Sequence, residues 1–328
     1  MSVKWGVLGT ANIAGGCMIP GIKMAENAEL YAIAGRSSDK VKKFCEDFGI
    51  KKGYVGYEDL IADPEIQAVY IPLVNNLHKE WVIRTLKAGK SVLCEKPLAL
   101  NAKEADEMFD VARENNVVLM EAYAYLHSPY IASLKEDIKS GIIGDVDYIE
   151  TAFIGQALLD DFRLHKEMGG GAAYDLGCYC TTMILSITDS EPETVLADAE
   201  FGGNGVDIYT SAYIRFKNGV RASFNVGMIF PVGSYGRKDR LYIHGTKGCI
   251  NSDVEYNQSG ELSYTITVGD RKIVRKVNAK HNYALECEQL GRCIENGETP
   301  HVTPEFSIKN AGLLDMILDR IGFWGNVD

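Results

Sequence analysis

Three stretches of this chain place side chains where chemistry could be done. The first is Ser91-Val92-Leu93-Cys94-Glu95-Lys96-Pro97-Leu98, an apolar strand that stops at a charged pair and a proline. A parallel strand delivers its last residues to the crevice at its carboxyl end, where open α/β sheets hold ligands. A lysine there loses part of its hydration and reaches over whatever is bound, and Pro97 fixes the backbone just beyond it. Read alone, Glu95 and Lys96 are equally a solvated pair closing a strand. The second stretch is Gly9-Thr10-Ala11-Asn12-Ile13-Ala14, after the apolar run 3–8. It keeps the first glycine of a dinucleotide fingerprint and puts Ala11 and Ala14 in place of the other two. Alanine is small enough for a pyrophosphate to approach the helix N-terminus; a tight turn without a ligand is the alternative. In the third, Gly169-Gly170-Gly171 admits another backbone or a ligand at close range and leads into a helix. Asp175 and Tyr179 stand four apart on one face of that helix, so a carboxylate and a phenol can point into one cavity. The plainer alternatives are a first-turn acid favoured by the helix dipole and a core tyrosine.

The elements that would position these residues follow from periodicity. Apolar strands at 3–8, 29–35, 52–55, 67–73, 91–94 and 117–121 alternate with helices at 38–48, 57–63, 77–88 and 101–115. That rhythm predicts a doubly wound parallel sheet. Ser38 is expected to cap its helix, with Gly49 as the stop, and Asn101 with Glu104 forms an Asx capping box. At the end of the second strand an NAD site usually carries Asp or Glu for the ribose hydroxyls. Here Arg36 and Ser37 stand instead, suited to a 2′-phosphate and hence to NADP over NAD.

Near residue 122 the rhythm changes. A helix at 129–140 precedes alternating segments at 145–154, 207–216, 220–228, 238–244, 262–268 and 272–277. Val206, Ile208, Thr210, Ala212, Ile214 and Phe216 share one face, and Tyr209, Ser211, Tyr213 and Arg215 the other. Such strands make an antiparallel sheet with one buried and one amphipathic face, the second a candidate for subunit contact. Helices near 281–296 and 304–322 close the chain. Two domains are expected, 1–122 and 123–328, since single cores stop growing at roughly 250–300 residues.

Lys and Arg number 34 against 45 Asp and Glu, a net charge of −11. So acidic a surface disfavours nucleic acid and gives no basic segment for anionic lipid. Eight cysteines without a C-x-x-C pair fit a reducing cytosol and offer no metal site. The chain enters a strand by Val3 without a signal-like segment. No apolar run approaches the roughly 18–20 residues that span a membrane. A cytoplasmic protein is expected.

Residues 3–14, 69–78, 94–97 (CEKP), 120–129 and 169–179 (GGGAAYDLGCY) occur in the order and spacing of the Gfo/Idh/MocA oxidoreductases, and the chain resembles that family. Tyr179, where the inositol dehydrogenase branch carries His, makes it most similar to the dimeric dihydrodiol dehydrogenase and D-xylose 1-dehydrogenase branch. The resemblance implies a Rossmann domain, a C-terminal α+β domain with an open-faced, mostly antiparallel sheet, NADP or NAD, and a homodimer or homotetramer formed through that sheet. It assigns Lys96, Asp175 and Tyr179 to catalysis. It assigns Gly9, Thr10, Ala11, Asn12 and Ile13 to the pyrophosphate turn, Arg36 and Ser37 to the adenosine ribose, and Leu73, Asn76, His78, Glu95 and Lys96 to the nicotinamide side. Where the branch often reads Arg-Phe-His-Pro, this chain has Leu126-His127-Ser128-Pro129, so an arginine able to touch substrate is missing. Arg163 is the candidate to replace it, and Tyr123, Tyr125, His281 and Tyr283 are further candidate substrate contacts. The implied reaction is hydride transfer to or from a sugar, polyol or trans-diol, with Tyr179 as acid/base assisted by Lys96. Two alternatives stay open: a nucleotide-sensing regulator on the same fold, and a sugar–sugar oxidoreductase with a permanently held cofactor.

Overall fold

A computed structural model describes residues 2–155, 161–228 and 237–325. The chain divides into two compact units, Met1–His127 with Lys280–Ile308, and Ser128–Ala279 with Lys309–Asp328.

The first unit holds strands β1 (Val3–Leu8), β2 (Ala28–Gly35), β3 (Lys52–Val55), β4 (Ala68–Ile71), β5 (Ser91–Glu95) and β6 (Leu119–Ala122). They pair in parallel in the order β3-β2-β1-β4-β5-β6. Trp5, Val7, Leu8 and every residue of β4 are buried, because helices on both sides of a parallel sheet leave no wet face. This is the expected doubly wound sheet. The order reverses between β1 and β4, so the segments after those strands flank the switch point where ligands bind.

The α-helices are α1 (Ile19–Met24), α2 (Ser38–Phe48), α3 (Glu58–Ala62), α4 (His78–Lys87), α5 (Ala102–Glu114), α6 (Pro129–Lys139), α7 (Cys178–Thr188), α8 (Asn282–Asn296) and α9 (Pro304–Arg320). The cap of α2 is Ser37, one residue before the expected Ser38; its Oγ accepts from the Lys40 amide. Asn101 caps α5 as expected, accepting from the Glu104 amide at 2.9 Å. The Glu104 carboxylate returns to the Leu100 amide, one residue further out than in the usual box.

The two units are not the continuous stretches 1–122 and 123–328. Residues 280–308 belong with the first, because α8 packs on α1. A Cβ on Gly21 of α1 would come within 2.7 Å of the Tyr283 Cβ, so only glycine lets the two backbones approach this closely. Cys287 and Met18 bring their sulfurs to 3.4 Å in the same interface.

The second unit contains β7 (Val146–Ile154), β8 (Pro192–Phe201), β9 (Asp207–Phe216), β10 (Arg221–Gly227), β11 (Lys238–Gly245), β12 (Cys249–Ser252), β13 (Gly260–Val268) and β14 (Arg271–Ala279). Their order is β14-β13-β12-β11-β7-β10-β9-β8, antiparallel except for β7 with β10. The sequence reading lacked β8 and β12. β8 is an edge strand whose alternation is shallow, because only Val195 is fully buried and the apolar Leu196 lies on the exposed face, and β12 is four residues long. The inner face buries Ile149, Phe153, Ile214, Phe216, Ala222, Phe224 and Val226, with α7 packed on β7 and β10. Tyr213 and Leu196, opposite each other in register, are exposed on the other face.

All eight cysteines are free thiols. Among the described residues no group of three or more His, Cys, Asp or Glu could hold a metal, and no helix is long and apolar enough to cross a membrane.

Candidate active site

At the end of β1, Gly9 turns the chain with φ +142° and donates its amide to the Ala34 carbonyl at 2.9 Å. Helical backbone begins at Asn12, and residues 10–13 are partly or fully exposed. The first amides of a helix have no partner within it, so this turn offers backbone donors with little side-chain bulk in the way. The arrangement fits a pyrophosphate. Arg36 and Ser37 follow β2 and are both exposed. The Arg36 guanidinium lies beside the Tyr57 hydroxyl, opposing the burial that raises that phenol's pKa. Ser37 uses its oxygen as acceptor for the α2 cap, and its O–H can still donate outward. A phosphate on the adenosine ribose would meet a cation, a hydroxyl and a helix N-terminus here.

The carboxyl end of β5 is built as a network. Glu95 Oε1 accepts from the Tyr70 hydroxyl at 2.6 Å and its Oε2 from the Lys96 amide at 3.2 Å. Both Glu95 and Lys96 are half-buried. His78, expected to line the nicotinamide side, is fully enclosed. Its Nδ1 lies 2.9 Å from the Pro97 carbonyl and its Nε2 3.0 Å from that of Leu73. The ring thus lies between the carbonyls of the segment after β4 and the turn after β5; as a neutral imidazole it donates to one of the two, and with no exposed surface it is not placed to line the nicotinamide side as expected. Desolvation, helped by the Lys96 charge, keeps the His78 pKa below its ordinary value. Leu73 is half-buried, and Asn76 is exposed on the turn Asn75–Leu77. Glu121, 2% exposed, accepts the Leu98 amide at 2.8 Å, and burial pushes its carboxyl up to about 7.

Four of the candidate substrate contacts fall in this first unit, and two of them are corrected. Tyr123 and Tyr125 are 0% and 2% exposed, with rings edge-to-face at 6.3 Å, and belong to the core. Tyr283 lies on α8 against Gly21, its hydroxyl bonded to the Cys17 thiol. His281 precedes α8; its Nδ1 is buried without a hydrogen-bond partner, and desolvation lowers its pKa.

In the second unit the glycine run receives a backbone, not open space. The Gly171 amide donates to the Arg163 carbonyl at 2.9 Å and that of Gly170 to His165 at 3.0 Å. A π-turn, Ala173–Gly177, leads into α7 and carries Asp175. Arg163, the candidate for a missing substrate arginine, is committed elsewhere: its Nε meets Asp175 Oδ1 at 2.9 Å and its Nη1 meets Asp161 at 3.0 Å. It fixes the Asp175 carboxylate. Tyr179, 9% exposed, sits in an aromatic corner with Phe153 at 5.4 Å and Tyr256 at 5.1 Å, and its hydroxyl accepts from Asn257 Nδ2 at 3.4 Å. The start of this helix is held by Asp207, which is buried and accepts the Ala173 amide at 2.7 Å and the Thr210 hydroxyl. Nothing in the local sequence marks Asp207 for this: it is one acid at a strand start, thirty-four residues from the amide it holds.

Residues 3–123 match the description "Oxidoreductase family, NAD-binding Rossmann fold", and residues 131–251 match "GFO/IDH/MocA C-terminal domain". The trans-1,2-dihydrobenzene-1,2-diol dehydrogenase of Xenopus laevis is 32% identical over 98% of this chain and 99% of its own. The D-xylose 1-dehydrogenase (NADP(+)) 2 of Haloferax volcanii is 30% identical over 97% of each. The crystal structure of KijD10, a 3-ketoreductase from Actinomadura kijaniata in complex with NADP and TDP-benzene, superimposes with a TM-score of 0.91 at 28% identity over 98% of both chains. The chain belongs to the Gfo/Idh/MocA family of oxidoreductases and carries that family's NAD-binding Rossmann unit at its amino-terminal end.

Proposed function

We propose that the protein transfers a hydride between NADP(H) and a carbinol or carbonyl carbon of a sugar, polyol or trans-diol. The observation that carries this is end-to-end similarity to enzymes named for such substrates, joined to the half-buried Lys96 at the carboxyl end of β5. A bound nicotinamide supplies or takes the hydride at C4. The chain's own task is to orient the reactants and move one proton. Tyr179 gives or takes the hydroxyl proton. A free tyrosine titrates at about 10, too high for an efficient base at neutral pH, and a neighbouring cation favours its phenolate. Lys96 is assigned donation to the developing alkoxide. Asp175, fixed by Arg163, orients the substrate hydroxyl.

Tyr179→Phe is expected to lower kcat by at least ~100-fold while cofactor affinity stays unchanged. Full turnover with an ordinary pH profile removes the assignment. The preference for NADP rests on Arg36 and Ser37 at the end of β2. Arg36→Ala is expected to weaken NADP binding by roughly 10- to 100-fold and leave NAD binding nearly as it was, the loss of one charged hydrogen-bonding partner. Equal losses for both cofactors contradict the 2′-phosphate reading. We further propose self-association through the outer sheet face around Leu196 and Tyr213, both exposed. Leu196→Asp with Tyr213→Asp should then lower the mass measured by light scattering.

A further inference from the structure

The corner behind Tyr179 holds groups that no step above uses. Arg237, just before β11, lays its guanidinium over the Phe153 ring, with Cζ 3.9 Å from the centroid. Tyr179 meets the same ring edge-on, so cation and phenol flank a single phenyl group, and the Arg237 charge acts on the Tyr179 phenol. The guanidinium is held in a fork: Nε to Asp239 Oδ1 at 2.8 Å, Nη2 to Asp239 Oδ2, and Nη2 also to the Tyr256 carbonyl at 3.1 Å. Asp239 is 4% exposed and also takes the Tyr256 amide at 2.6 Å, which turns its charge back onto the backbone. The next residue, Asn257, aims Nδ2 at the Tyr179 hydroxyl from a left-handed backbone, φ +65°. Asparagine takes that conformation readily in a turn, and here it directs the side-chain amide at the phenol.

We propose that Arg237 and Asn257 are positioning residues for proton transfer at Tyr179, the guanidinium stabilising the phenolate across Phe153 and the amide fixing its oxygen. The inference rests on the reading of Tyr179 as acid/base. A phenolate in a dry corner needs a nearby cation or donor, and both favour the charged form. The other charged and titratable groups around the corner do not reverse the sign. Asp239 is paired with Arg237, Glu255 is exposed, Asp175 is paired with Arg163, the Tyr256 hydroxyl is hydrogen-bonded to that of Thr151 at 3.0 Å, and burial keeps the Cys180 thiol protonated. The faces of β7 and β10 beneath α7 present Ile149, Thr151, Phe153, Ala222, Phe224 and Val226, all uncharged. Arg237 lies in the same unit as Tyr179, so its support does not depend on a bound dinucleotide.

The test is therefore made on the full chain without cofactor. Tyrosinate absorbance near 295 nm is followed against pH in wild type and in Tyr179→Phe, and their difference isolates residue 179. Arg237→Gln is expected to raise the Tyr179 midpoint by about one pH unit or more, Asn257→Leu by less, and Arg237→Lys, which keeps a cation, to restore most of the shift. In turnover, the limb of the kcat profile governed by Tyr179 should move in the same direction, with KM little changed. A midpoint that coincides in wild type, Arg237→Gln and Asn257→Leu overturns the proposal. Asn257→Leu leaves the Arg237–Asp239 pair intact and serves if Arg237→Gln does not fold. Full turnover in Tyr179→Phe overturns the acid/base reading instead, and is seen independently of where the midpoint lies.

Discussion

Tyr70 is the residue on which the geometry of Lys96 hangs most visibly. Its hydroxyl, in a fully buried ring, donates to Glu95 at 2.6 Å, and Glu95 in turn accepts the amide of Lys96. Tyr70→Phe removes that donor without leaving a cavity. Hydrogen bonds to charged groups contribute about 1.5–3 kcal/mol, so a loss of roughly that size is expected in chemical denaturation. Turnover should fall as well, because Glu95 is freed to draw on the Lys96 ammonium. Unchanged stability and turnover would show that the bond does not matter. Lys96 itself was legible as sequence, since an apolar strand ending in Glu-Lys-Pro puts its last charge at a ligand crevice. Tyr123 and Tyr125 were not, because a tyrosine just past a strand reads the same whether its ring turns inward or outward. Arg237 and Asn257 carried no signal at all. Their partners Phe153 and Tyr179 lie far away in sequence, and only the folded sheet brings them together.

The start of the helix bearing Asp175 and Tyr179 is the element most exposed to damage by a small change. Gly171 has φ +120°, and a Cβ there would stand 2.2 Å from Asp207 Oδ1, the acid that holds the Ala173 amide. Gly171→Ala is therefore expected to lose both the backbone conformation and the cap. A lost cap alone costs ~1 kcal/mol, and forced displacement of the buried carboxylate adds to it. A denaturation midpoint equal to wild type would contradict this. At this scale the sequence was most informative where periodicity is strong. The parallel strands, α2, α5 and β9 lie within a few residues of expectation. Expectation failed for β8, whose edge position leaves a single buried residue, and for the glycine run. Three glycines signal close approach but do not say what approaches; here it is the backbone of Arg163 and His165.

On the scale of the molecule, buried titrating groups in the first unit make stability depend on pH from two sides. Glu121 titrates at about 7 when folded against an ordinary 4.5, so the folded state holds its proton more tightly. Its contribution is fully present below about 4.5 and is lost as pH rises through 7. Glu286, fully buried and raised further, extends that loss to higher pH. His127 is pushed down to about 3 from 6.5, so its contribution is lost as pH falls from 6.5 toward 3. Between 4.5 and 6.5 the rise from His127 offsets the decline from only one of the two carboxyls, so maximal stability is expected near the acidic end of that window, around pH 4.5. Glu121→Gln, which can still accept the Leu98 amide, should flatten the decline on the neutral side by on the order of 3 kcal/mol. A decline of undiminished slope in that variant, followed by urea melts across pH, would exclude Glu121 as its source.

The return of α8 to α1 bears on how the chain is made. The NAD-binding unit opens with the segment through His127, yet its last piece, Lys280–Ile308, follows Ser128–Ala279 of the other unit in the chain. Until then the groove on α1 that receives Tyr283 and Cys287 stands uncovered. Domains ordinarily fold in the order they are synthesised. Here the half encoded first is completed only after most of the other has been translated, so a nascent chain stalled before residue 280 should bind dinucleotide poorly and be cut readily by protease within its first hundred residues.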